Sequence, residues 1–428
     1  MKKVFFYSLL SCLFMASCSE TDGLEDNKEN SQMKSEIRSI DEALQIAKNS
    51  ISMLENQAST RATTKNRRIS LADSKVIQKD ITRSSANTID TLMYVFNFED
   101  SLGFAIVAAP MCIDGLLAVT EEGYYDPDVP SEIDGFNAFM EKAKEYCQNA
   151  YFAEEGIEDN SWLTRISEGS IDEWKDSVWY VWTNVWPLIN VKWGQRHPEG
   201  EFCENELAGC SNTAMAQILT YFEYPDTIQL TYPNADKSYE VLDWTNIKSH
   251  TTGHTLPNCS TPDTHTSISR LLREVGSLCH SQYNTSSTST FTELYAPIAF
   301  NSLGYSVGGW IDYTLTDALN SLNVSRPLLI EGFTYDSVGH VWVLDGYRKC
   351  RKYRQKFRRI DYSEWNPIGS PQITTTYYMH YNWGWYGNSN GYFHSNVFNT
   401  SMVYFPDTNQ NTAQYNFKYD GKMMSVYR

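Results

Sequence analysis

Thirteen consecutive residues without a charge, Leu207-Ala208-Gly209-Cys210-Ser211-Asn212-Thr213-Ala214-Met215-Ala216-Gln217-Ile218-Leu219, constrain the rest of the chain most. Strand-like alternation is missing and there is almost no polar face, so the run predicts a helix buried on most sides. Other layers must wrap such a helix. Gly209 and Cys210 end the loop before it, which puts a thiol at the first turn. Unpaired backbone N–H groups and the positive end of the helix dipole favour thiolate over thiol there. The alternative is a small buried core cysteine, and partners elsewhere decide between the two.

Three such partners follow from local sequence. Val338-Gly339-His340-Val341-Trp342-Val343-Leu344-Asp345-Gly346-Tyr347 places an imidazole at the mouth of an apolar strand, behind a glycine. The preceding strand, Pro327 to Phe333, is joined to it by a short turn, so an antiparallel pair is expected. Tyr377 to Tyr381 reads as a strand leading into Asn382-Trp383-Gly384-Trp385. The Asn382 carbonyl oxygen can accept the His340 Nδ1–H and so aim Nε2 at the sulfur, while the Trp383 indole shields that bond. Val191-Lys192-Trp193-Gly194-Gln195 supplies a side-chain amide, Gln195, suited to an oxyanion hole.

In order, these local sequences resemble the streptopain family of secreted bacterial cysteine peptidases. The matching motifs are Gly209-Cys210 with Thr213-Ala214-Met215-Ala216-Gln217-Ile218, Gly339-His340 through Asp345-Gly346, Asn382-Trp383-Gly384-Trp385 through Gly391, and Trp193-Gly194-Gln195. The resemblance implies an α+β fold with a papain-like catalytic domain, a central helix packed on an antiparallel sheet, preceded by a small α+β propeptide domain. It implies Cys210 and His340 as the catalytic pair, with Asn382, Gln195 and Trp383 in support. Substrates would be proteins or peptides, with no cofactor. Ser211 and Asn212 depart from the small apolar residues that the family usually carries after the cysteine, which bears on specificity.

The chain ahead of the helix fits the same reading. Lys2 and Lys3 precede an apolar run from Val4 to Ala16, too short to span a bilayer, so residues 1–17 read as an export signal. Met15-Ala16-Ser17-Cys18 resembles a lipoprotein signal, which implies a lipid on Cys18 and residence in a bacterial cell envelope, at the outer membrane or cell surface. Residues 18–34 are polar and aperiodic, as a tether would be. Ser39 and Glu42 form a capping-box pattern ahead of a helix marked by Leu44, Ala47, Ile51 and Leu54. Two strands (Leu92 to Phe98, Phe104 to Ala109), a short apolar run at Leu116 and a helix from Phe136 complete a unit at 35–152. It contains no histidine and looks like the family's inhibitory propeptide. Residues 153–165 are acidic and aperiodic, the expected processing linker, and 166–428 form the peptidase domain.

A net charge of −17 argues against nucleic acid as a partner. The sequence has no CxxC pair and no HExxH, so zinc has little support. Cys112, Cys147, Cys203, Cys259, Cys279 and Cys350 are too widely spaced for their pairing to be read. Arg348 to Arg359 carries eight basic residues in twelve, against the sign of the whole chain. It reads as a solvated hairpin, with an acidic partner as the other reading. The rival to an enzyme is a catalytically silent peptidase fold serving as a surface binding lipoprotein.

Overall fold

The protein is described from a computed structural model, which covers residues 37–55, 66–78, 91–153, 172–231, 238–250, 262–333, 339–360, 363–398 and 421–428. The expected signal run, Cys18, the expected tether, Cys259, residues 334–338 and residues 154–165 of the expected linker lie outside these residues. In chain order the elements are α1 (Ile40–Glu55), β1 (Lys75–Gln78), β2 (Thr91–Asn97), β3 (Phe104–Ala108), β4 (Leu116–Thr120), α2 (Asp134–Ala153) and β5 (Asp172–Val185). There follow α3 (Cys210–Phe222), β6 (Thr227–Gln229), β7 (Tyr239–Val241), α4 (Trp244–Ser249), α5 (Pro262–Leu278), β8 (Gln282–Tyr283), β9 (Thr288–Ser289) and α6 (Thr292–Ser302). The last are β10 (Ser306–Val307), β11 (Ile311–Asp312), α7 (Leu315–Asn323), β12 (Leu328–Phe333), β13 (Gly339–Ile360), β14 (Asn366–Asn382), β15 (Gly391–His394) and β16 (Lys422–Tyr427).

Alternation along β12 and β13 divides the core. Leu328, Ile330, Trp342 and Leu344 face one side of the sheet, among α2 and α7 residues such as Phe136, Phe139 and Leu322. Leu329, Val341 and Val343 face the other, with Met215, Ile218, Leu271 and Phe300 of α3, α5 and α6. This two-residue period is what a sheet buried on both faces requires. The fold is α+β, with α3 packed on an antiparallel sheet. Every residue of α3 from Ser211 to Thr220 is buried, as its lack of a polar face predicts.

The amino-terminal unit has the expected helix, sheet, helix order. The capping box at α1 is complete: Ser39 N–H donates to Glu42 Oε2 at 2.8 Å, and Glu42 N–H to Ser39 Oγ at 3.3 Å. What the sequence did not indicate is that its sheet is not separate. β4 pairs antiparallel with β15, matching Thr120 to Gly391, Val119 to Tyr392 and Ala118 to Phe393, so β1–β4 extend the peptidase sheet.

The basic segment lies on β13, which pairs antiparallel with β14, so the predicted hairpin is present. A third strand joins it: β5 pairs with the outer half of β13 from Val185↔Tyr347 to Asp172↔Ile360. The tryptophan-rich stretch before α3 is therefore one edge of a three-stranded arm.

Candidate active site

Two layers meet at the site. Gly209 caps α3 with φ 90°, a left-handed conformation natural to glycine, and a Cβ there would stand 2.9 Å from a Thr288 methyl. Cys210 is the first helical residue and is half-buried. Opposite it, Gly339 opens β13 and His340 is buried at 4% exposure. Burial would raise the thiol pKa and lower that of the imidazole. Each moves the other way, because the thiol and the ring hydrogen-bond and favour one another's charge. The Val341 backbone and the Ser211 side chain add to the effect at sulfur, and the Trp383 backbone and Asp134 add to it at the ring.

The orientation of His340 differs from expectation. Nε2, expected to face the sulfur, instead donates its N–H to the Trp383 main-chain carbonyl at 3.1 Å, and the expected bond from Nδ1 to Asn382 is not formed. The Asn382 side chain is engaged elsewhere: Nδ2 donates to Val191 O at 2.8 Å, and Oδ1 accepts from Gly384 N at 3.2 Å and Gln217 Nε2 at 3.4 Å. In this form Asn382 braces the segment at Val191 that leads into the Gln195 loop rather than the imidazole. The Trp383 ring is fully buried, 5.1–5.2 Å from the rings of Trp342, Tyr381 and Phe393. Its Nε1–H donates to Ser389 O at 2.9 Å. Gln195 is buried, and its carbonyl accepts from Ala208 N at 2.7 Å, which ties its loop to the residue two places before Cys210. The structure thus sets Cys210, His340 and Trp383 side by side, with Asn382 and Gln195 in the adjoining strand and loop.

Ser211 and Asn212 turn into the helical layer. Ser211 Oγ bonds Thr292 Oγ1 at 2.7 Å; Asn212 Nδ2 donates to Ala208 O at 2.7 Å, and its Oδ1 accepts from Ser281 Oγ at 3.1 Å. Both are buried, so the extra polarity is spent on packing, with Ser211 also touching the thiol.

The start of α2 lies against the imidazole. A Cβ on Gly135 would stand 2.6 Å from His340 Cδ2 and 2.6 and 2.8 Å from Trp383 ring carbons. Only hydrogen fits between this helix and the site. A second junction lies behind it. Asp345 Oδ1 meets His380 Nδ1 at 2.6 Å, and Glu121, just past β4, meets His380 Nε2 at 3.4 Å and Lys192 Nζ at 2.7 Å. Burial works against every charge here. The two carboxylates nonetheless push the His380 pKa up to about 9, and Lys192 with His380 holds Glu121 well below the usual carboxylate range.

Gln217, Asp345, Glu121, Lys192 and Gly135 were not singled out from sequence as site residues. Gln217 and Asp345 do sit inside the matching motifs, and that was the available signal. Among the described residues all six cysteines are free thiols, and no cluster of three or more His, Cys, Asp or Glu could hold a metal. No described helix is long and apolar enough to cross a membrane.

A thiol on a buried helix and an imidazole on the sheet beneath it are the arrangement of a cysteine peptidase, and the amino-terminal unit lies on that imidazole. The model of the Peptidase C10 family matches residues 190–393, and that of the Spi protease inhibitor matches residues 32–147. The chain is thus similar to the Peptidase C10 family, the streptopain family, over its carboxy-terminal part and to an inhibitor of the Spi kind ahead of it. It is 24% identical over 356 residues to the thiol protease/hemagglutinin PrtT of Porphyromonas gingivalis, covering 76% of this chain and 36% of that protein. The chain thus spans about a third of that relative's length. Among solved structures, a fragment of prointerpain A from Prevotella intermedia superposes with a TM-score of 0.48 at 19% identity, over 82% of this chain and 98% of the fragment.

Proposed function

We propose that the chain is the precursor of a lipid-anchored cysteine endopeptidase, in which residues 35–152 are the inhibitory propeptide and 153–165 the processing linker. The observation that carries the reading is the placement of Cys210, at the start of α3, in hydrogen-bonding contact with His340, at the start of β13. The Cys210 thiolate attacks the scissile carbonyl carbon as its π pair moves to oxygen, and Gln195 and the Cys210 N–H stabilise the oxyanion. Protonated His340 gives its proton to the leaving amine as the C–N bond breaks. Neutral His340 then takes a proton from water, whose oxygen attacks the thioester; the C–S bond breaks, the acid leaves, and the Cys210 thiolate is restored beside protonated His340.

In the precursor, α2 lies against His340 and the ring is tied to the Trp383 carbonyl. Loss of the propeptide frees the ring to reach Asn382 Oδ1, one residue away in the chain, which would fix the catalytic tautomer. The lipid on Cys18 and residence in the bacterial envelope, with release after maturation as the alternative, rest on the signal-like sequence alone.

The test is casein hydrolysis by processed chain, with iodoacetamide labelling mapped by mass spectrometry. Wild type should cleave, and alkylation at Cys210 should abolish cleavage. Equal cleavage by Cys210→Ala, or a processed wild type that is inert, would overturn the reading.

A further inference from the structure

The amino-terminal unit covers more than the catalytic imidazole, and the groups beneath it are arranged to hold something acidic and extended. β4 is a strand added to the β15 edge, and its pairing continues past the strand ends: Glu121 N–H donates to Asn390 O at 2.8 Å and Ser389 N–H to Glu122 O at 3.1 Å. Beside that edge, the propeptide carboxylate Asp114 accepts from Thr376 Oγ1 and lies 3.6 Å from His394 Nε2, with Lys352 acting on it through space. These groups hold the Asp114 carboxyl down at about 2 although burial opposes it.

Arg348 is 4% exposed under the end of α1. Its Nη1 donates to Met53 O, its Nε has no hydrogen-bond partner, and its guanidinium lies 5.4 Å from the Trp182 and Trp186 rings. Without the propeptide, an unsatisfied guanidinium, a histidine and a lysine would all flank an open strand edge. Register then carries the same face outward along the arm, where Lys352 pairs with the exposed Tyr180.

We propose that maturation uncovers a substrate exosite: an extended acidic polypeptide segment adds as a strand to β15 and sets its carboxylates on Lys352, His394 and Arg348. The inference rests on the peptidase reading only in requiring that the propeptide leaves. Charge complementarity selects the occupant, since the run from Arg348 to Arg359 holds eight basic residues and no acidic one on a chain of net charge −17. Backbone pairing supplies affinity in such strand addition, and side chains supply selectivity. The propeptide occupies the site in the same manner, with one carboxylate and one added strand.

The experiment compares Lys352→Glu with wild type after processing, on casein as an acidic extended substrate and on a short uncharged fluorogenic peptide that reaches only the catalytic groups. Lys352 is exposed, so the variant should fold. The expected result is an about 3–10-fold higher KM for casein, removed by high salt, with kcat and the short-peptide rate unchanged. A direct readout stands apart from activity: fluorescein-labelled oligoglutamate should bind processed Cys210→Ala but neither its unprocessed precursor nor processed Cys210→Ala/Lys352→Glu. It should also protect the Ser389–Phe393 amides from hydrogen exchange. An unchanged casein KM, equal oligoglutamate binding by both processed forms, or a cleaved propeptide that stays on the sheet and blocks binding would overturn the exosite. Oligoglutamate binding with no hydrolysis of either substrate would overturn the peptidase reading and leave the exosite standing.

Discussion

Gly135→Ala tests whether the start of α2 holds the precursor silent. The added methyl would stand 2.6 Å from His340 Cδ2 and 2.6 Å from a Trp383 ring carbon, about an ångström inside ordinary contact. Neither ring can give way easily: His340 is 4% exposed, and Trp383 is fully buried against three other aromatic rings. Overpacking of this kind costs about 1–3 kcal/mol. Alanine at a helical position returns up to about 1 kcal/mol, so the net effect is about 1–2 kcal/mol against the closed precursor. That corresponds to an about 5–30-fold larger open fraction. The assay is the rate of iodoacetamide labelling of Cys210 in intact precursor, with thermal unfolding of a Cys210→Ala background as the control for folding. Labelling should accelerate by that factor. An unchanged or slower rate in a well-folded variant would refute the claim that this helix start restrains the site.

The Glu121 junction gives the precursor a pH profile. His380 is raised from 6.5 to about 9, so its share of stability is full below about 6.5 and is lost as pH rises through about 9. Glu121 is lowered from 4.5, so its share is present above about 4.5 and is lost as pH falls through its depressed value. The melting temperature of Cys210→Ala precursor should therefore be highest between these limits, and Glu121→Gln should lower it most there, with a smaller loss persisting above about 9 because Lys192 stays charged beside position 121. Gln195→Ala should lower kcat of the processed enzyme by about 10²–10³ with KM little changed, read by steady-state kinetics. Cys18→Ala should move the full chain expressed in bacteria from the detergent to the aqueous phase of a cloud-point extraction.

Local pattern carried the sequence reading where burial is one-sided or complete. The unbroken run after Cys210 gave the buried helix, and the short apolar run behind Gly339 gave the strand that carries His340. Ser39 and Glu42 gave a cap that formed as drawn. The third strand of the arm leaves no mark in the sequence because Val178, Trp179, Tyr180 and Val181 are all exposed, so β5 has apolar residues on both faces and no alternation to detect. α5 was overlooked although Ile268, Leu271, Leu272 and Val275 keep a helical spacing and are buried. At the site, residue types were legible and their bonds were not. The His340 acceptor is a backbone carbonyl, which every residue possesses, and no side-chain pattern could single out that of Trp383. The His380–Glu121 contact joins residues far apart in the chain through the union of two sheets, a long-range event that no local window contains.

The long ribbon that carries β5 sets a geometric limit on how the first cut is made. Asp172, where described structure resumes after the linker, pairs with Ile360, twenty positions beyond His340 on a single strand. At 3.2–3.4 Å per residue that is on the order of 60 Å of travel. A cut made beside Asp172 would therefore fall far from the sulfur of its own molecule and within reach of a neighbour's. Conversion should then follow bimolecular kinetics, with an initial rate rising as the square of concentration, so that crowding on a surface would itself act as the trigger.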